Sequence, residues 1–134
     1  MESMCTRLKD MDEAGVYRLN CTLDELRTAA EQTNYTLFEA DLAEMQGKGE
    51  FLAAVAQGIY APGWFGNNWD ALADALADLS WRPATGYVLL LSNGGEVLGL
   101  GSADHQMATE ILSSTVTYWK SQGKPFWVFL ADDL

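Results

Sequence analysis

Two runs, Tyr87-Val88-Leu89-Leu90-Leu91 and Phe126-Trp127-Val128-Phe129-Leu130, are apolar at every position. A strand turns successive side chains to opposite faces, so a run apolar at both parities must be covered on both sides. That is the habit of a parallel sheet flanked by helices. Two more segments rich in β-formers read as strands, Val16-Tyr17-Arg18-Leu19 after Gly15 and Tyr35-Thr36-Leu37-Phe38-Glu39-Ala40. Helical signals lie between them. Thr22 with Glu25 forms a capping box, and Leu23, Leu26 and Ala30 line one face to about Thr33. Gly47 and Gly49 precede an apolar helix from Phe51 to Tyr60, closed by the turn Ala61-Pro62-Gly63. Asn67 or Asn68 can cap a helix to about Leu79. Residues 102 to 122 set Met107, Ile111 and Tyr118 beside Ala108, Leu112 and Trp119 at helical spacing, ending at Gly123. Strands alternating with helices predict an α/β fold with a mainly parallel sheet.

Residues 1–14 are polar and mixed in charge and read as an N-terminal tail; residues 15–134 read as one domain, with no repeat or linker. Trp69, Trp119 and Trp127 are expected in the core, and Trp64, in a turn region, on the surface. Eight Lys and Arg against 19 Asp and Glu leave a net charge of -11, which repels phosphate backbones and anionic lipid headgroups alike. Nucleic acid and membrane are therefore excluded as expected partners, and a basic protein is favoured, because complementary charge raises association rates. The two cysteines, Cys5 and Cys21, have no CxxC spacing and suit a reducing compartment. The first residues, Met1 to Cys5, lack a basic stretch followed by an apolar run, so a cytoplasmic protein is expected.

The segment Trp64 to Leu79 carries the strongest functional signal. At about 100° per residue, Trp69, Leu72, Leu76 and Leu79 share one stripe of a helix, and Asp70, Asp74 and Asp78 stack on nearly the opposite one. Like charges at i,i+4 cost a helix a few tenths of a kcal/mol per pair, and Asp78 near the C-terminus also opposes the macrodipole. Stability alone does not select this arrangement. The alanines at 71, 73, 75 and 77 leave the carboxylates open to a partner's long Arg or Lys side chains. A structural role competes with that reading: Asp70 lies three residues after Asn67 and can complete a cap, and the other two can be solvated.

The run Trp64-Phe65-Gly66-x-Asn68-Trp69-Asp70-Ala71-Leu72-x-Asp74-x-Leu76 resembles the signature of the barstar family, named for an inhibitor of the ribonuclease barnase. The resemblance extends from about Tyr35 to the C-terminal strand and includes Gly123-Lys124-Pro125. It makes 35–134 the family core and 15–34 an extension. It implies a small three-stranded parallel sheet packed with helices, and a non-catalytic inhibitor or immunity protein that occludes the basic active site of a toxic ribonuclease or related secreted toxin. By position, Trp64 corresponds to the loop aromatic that lies on the toxin and Asn68 to the polar residue opening the acidic helix. Asp70 and Asp74 correspond to the two aspartates that contact it. Asp78 extends the same face. Asp74 would take the place of a substrate phosphate among the toxin's cationic groups. Three positions depart from the family pattern: Leu79 stands where the family has an aromatic, with Trp81 nearby; Tyr118 replaces an acidic residue; and Ala73 replaces a large aromatic.

Two other classes remain open on the residues alone. One is an acidic interaction module that inhibits nothing. The other is a metal-dependent enzyme using the Asp cluster, which would need ligands from elsewhere, such as Asp41 or Glu44. His105, the only histidine, reads as a surface residue, and Gly99-x-Gly101 as loop glycines. No cofactor or metal is expected, and no catalytic residue is assigned.

Overall fold

The computed structural model describes residues 7–43, 47–62, 68–93 and 102–131. After a 3₁₀ turn at Met11–Glu13 come β1 (Val16–Arg18), α1 (Leu23–Thr33), β2 (Thr36–Asp41), α2 (Lys48–Gly58) and α3 (Trp69–Asp78). β3 (Tyr87–Ser92), α4 (Ser102–Ser121) and β4 (Phe126–Ala131) complete the chain. The strands form one sheet in the order β1-β4-β3-β2, parallel throughout. The two runs apolar at both parities are its inner strands. β3 is buried at all six positions and β4 at five of six, whereas the edge strand β2 alternates from Phe38 on. The expected α/β class holds, with four strands where the resemblance implies three: β2, β3 and β4, and β1 added beside β4.

Parity assigns the two faces. Phe38 and Ala40 face α2, which approaches so closely at Gly58 that a Cβ there would lie 2.9 Å from the Ala40 Cβ and the Glu39 carbonyl oxygen. Glu39, on the opposite face of the same strand, receives two hydrogen bonds from Arg27 of α1, at 2.9 and 3.1 Å. α1 and the N-terminal segment therefore cover one side of the sheet and α2, α3 and α4 the other. In register with Glu39 are Leu90 and Phe129, and beyond Phe129 lies Tyr17 of β1. Trp127 stacks on Phe129 with centroids 5.8 Å apart, and its Nε1 donates to the Leu8 carbonyl at 2.9 Å. On the other side Tyr87 stacks on Phe38 and meets Trp119 at 5.1 Å.

Local signals account for most element ends. Thr22 Oγ1 accepts from Glu25 N at 3.1 Å, and Asn34 ends α1 in the left-handed region, which its short polar side chain tolerates. α2 starts one turn earlier than the sequence suggests: Gly47 caps it and Gly49 lies in its first turn, where a residue's N–H makes no intrahelical bond in any case. Ser102 opens α4, so His105 lies in the first turns of the helix. Gly99 and Gly101 lie outside the described residues. Cys21 is disulfide-bonded, which corrects the expectation of reduced thiols; distance along the chain does not report the Cα separation that a disulfide requires. No helix among the described residues is long and apolar enough to cross a membrane.

Candidate functional site

α3 is built from both ends by its own sequence. Asn68, with extended backbone, is the N-cap, its Oδ1 accepting from Ala71 N at 2.7 Å; this resolves the choice between Asn67 and Asn68. Leu79 ends the helix in the left-handed region at φ 49°, its N–H donating to the Ala75 carbonyl at 3.1 Å. The buried stripe is Trp69, Leu72, Ala75, Leu76 and Leu79. Trp69 packs on Phe51 of α2 at 5.8 Å, and Trp119 Nε1 of α4 donates to the Leu76 carbonyl at 2.8 Å. Trp69, Trp119 and Trp127 are all buried, as expected.

With that stripe held by both neighbouring helices, Asp70, Asp74 and Asp78 point outward and are exposed. Among the described residues none of the three forms an ion pair, although Arg27 pairs with Glu39 at 2.9 Å and Arg7 with Glu13 at 3.8 Å. The carboxylates succeed one another along a single face and so present negative charge over about two helical turns. Of the five sequence-derived candidates, α3 brings together Asn68, Asp70, Asp74 and Asp78. Trp64, in the segment before the cap, lies outside the described residues.

Leu79 is fully buried and offers nothing to a partner. Trp81 is half-buried and tied to the end of α2, its Nε1 donating to the Ile59 carbonyl at 2.8 Å. Tyr118 stands on the α4 surface beside α3, edge-on to Trp119 at 5.2 Å. With Met107, Glu110 and Ile111 it flanks Ala73 and Ala77, a neighbourhood that α3 alone does not reveal. Its sequence signal is the doubled apolar stripe of α4: Ala108, Leu112, Val116 and Trp119 are core, Ile111 packs against the core's edge, and Met107 and Tyr118 are left exposed beside it.

No group of three or more His, Cys, Asp or Glu is placed to hold a metal among the described residues. Asp41, considered above as an outside ligand, accepts instead from Asn93 Nδ2 and from Ala43 N, both at 3.0 Å. These bonds, the one from Asn93 foremost, hold its carboxyl below the usual carboxylate range. Glu44 lies outside the described residues.

The family model described as Barstar (barnase inhibitor) matches residues 35–131, from the start of β2 to the end of β4. No curated protein matches the chain.

Proposed function

This chain belongs to the barstar family, and we propose that it is an inhibitor or immunity protein that occludes the basic active site of a toxic ribonuclease or related toxin with the exposed face of α3. The observation that carries the reading is the row Asp70, Asp74 and Asp78, exposed and without a cation of its own among the described residues. Such a row is a cost to the free helix and a gain only opposite positive charge. A ribonuclease site holds cations for the substrate phosphate, and a carboxylate can occupy that place through charge-assisted hydrogen bonds without undergoing a reaction. Inhibition is then steric and electrostatic, with Asp74 at the centre, Asp70 and Asp78 along the same face, and Asn68 setting where the helix begins. Trp64 takes the neighbouring contact in this reading.

The long-range field has a separate role. A net charge of -11 steers a basic protein toward the molecule, and salt screens that field over a Debye length of about 10 Å at 0.1 M. Association should therefore slow with salt far more than dissociation quickens. A salt-independent association rate removes steering from the account.

The test is recovery of the basic partner from the native cell with this protein as bait, followed by titration of the partner's activity. Silencing of a ribonuclease at one equivalent, lost with Asp74→Ala, supports the reading. A partner with another toxic activity changes the target and keeps the inhibition, and a partner with no inhibited activity overturns it in favour of an adaptor. We place the encounter in the cytoplasm. A disulfide at Cys21 is more usual in oxidising compartments, so fractionation of the native cell is part of the same experiment.

A further inference from the structure

α3 and α4 are sealed to each other on the core side, by Trp119 reaching the Leu76 carbonyl and by buried Leu72, Ala75, Leu112 and Val116, but not on the solvent side. There, Ala73 and Ala77 of α3 face Met107, Ile111 and Tyr118 of α4 across an open groove of about 340 Å³. Met107 and Tyr118 are each 40% exposed, two of the three large apolar side chains exposed among the described residues. Single apolar residues on a surface need no explanation; two that line one cleft opposite alanine methyl groups do.

Each groove alanine directly precedes an aspartate of the exposed row, Ala73 before Asp74 and Ala77 before Asp78, so groove and row lie about 100° apart around one helix. Glu110 stands at the α4 wall, and no Lys or Arg lines the groove among the described residues. An apolar floor with acidic edges repels anionic ligands and lipid headgroups. The volume is at the small end of the roughly 300–1,000 Å³ of small-molecule pockets, enough for one or two side chains. It suits an anchor residue, the apolar side chain that protein interfaces insert into a pocket near their centre, and methionine on one wall adapts to the shape inserted.

We propose that the α3–α4 groove receives an aromatic or long aliphatic side chain of the basic partner, flanked on that partner by Arg or Lys groups that meet Asp70, Asp74, Asp78 and Glu110. The charge of the occupant rests on the inhibitor reading above; its apolar tip rests on the groove. The acidic face would then supply encounter rate and orientation, and the groove would decide which basic protein is retained.

The experiment uses the whole chain, with Met, Ile and Ala methyl groups labelled for NMR, titrated at 0.15 M salt with two blocked peptides, Arg-Arg-Phe-Arg-Arg and Arg-Arg-Ala-Arg-Arg. The expected result is that the Phe peptide shifts the methyl resonances of Ala73, Ala77, Met107 and Ile111 and half-saturates at about ten-fold lower concentration than the Ala peptide. Ala73→Trp, which fills the groove, should abolish that difference. Ala77→Leu provides the same test should Ala73→Trp disturb the fold. Equal half-saturation, a Phe preference that survives both variants, or the absence of groove shifts overturns the proposal. Titration of toxin activity with the unaltered protein and Asp74→Ala contains no groove variant, so the groove can fail while inhibition stands, and the reverse.

Discussion

The two outer surfaces of the molecule are organised on opposite principles. On the side of the sheet covered by the N-terminal extension, apolar and polar groups find partners within the chain. Trp127 and Phe129 are fully buried, the Trp127 indole donates to Leu8, the Tyr17 hydroxyl donates to the Glu13 carbonyl, and Arg27 of α1 is held by Glu39. On the outer face of α3 and α4 the same kinds of group are left open: three carboxylates with no cation paired to them among the described residues, and a cleft between apolar side chains. Composition does not make the difference, since α1 also carries Asp24, Glu25 and Glu31. What differs is how the charges are placed. Asp24 and Glu25 fall in the first turn of α1, where they complement the helix dipole, and Arg27 follows; α3 repeats Asp at every turn to its last residue. One surface is organised to hold the fold; the other, in the reading proposed above, is completed by a partner.

The contrast can be broken most forcefully at Trp127. Trp127→Ala leaves a large cavity beneath the extension and should cost about 3–5 kcal/mol in urea unfolding, while whatever remains folded binds its partner with unchanged affinity. A loss of binding in folded Trp127→Ala would show that the two surfaces are coupled. Asp74→Ala should do the reverse. Binding measured by calorimetry falls by about 2–5 kcal/mol, a range drawn in part from a complex of this family. Thermal stability stays level or rises by a few tenths of a kcal/mol as i,i+4 repulsion is relieved. A marked fall in stability would mean that Asp74 supports the helix itself. Asn68→Ala sits between the two cases, since its side chain is both cap and expected contact. Loss of the bond to Ala71 N should cost about 1 kcal/mol of stability, read from the shift in urea midpoint. Restoration by Asn68→Ser or Asn68→Asp would assign that loss to capping.

The smallest effect belongs to Asp41, at the end of β2. Its folded carboxyl is depressed, so its contribution is fully present above the ordinary carboxylate value of about 3.9 and is lost as pH falls through the lower folded value. Stability followed from pH 6 to pH 2 should lose this component in the unaltered protein and lack it in Asp41→Asn. Identical acid profiles would remove Asp41 from the acid response.

Much of this was legible from residues in order along the chain, because the signals were local. The absence of period two marked β3 and β4 as strands covered on both faces; period 3.6 set the aspartates of α3 opposite its core stripe; Thr22 and the pair Asn67-Asn68 announced helix starts. The groove was not legible in the same way. Its two walls are separated by thirty residues or more along the chain, and neither Ala73 nor Met107 is unusual where it stands. The disulfide at Cys21 and the hydrogen bond that ties Trp81 to the end of α2 were hidden for the same reason.

By itself, then, the sequence determined the element types, the parallel sheet, the identity of the core stripes and the family, since each follows from periodicity, from caps or from one contiguous motif. Only the tertiary structure decided that β1 lies beside β4, that α1 covers one face of the sheet and the remaining helices the other, and that α3 and α4 meet along the core side of their seam and part along the outer side. Those outcomes depend on which surfaces come within a few ångströms after folding, and neither periodicity nor local propensity carries that distance.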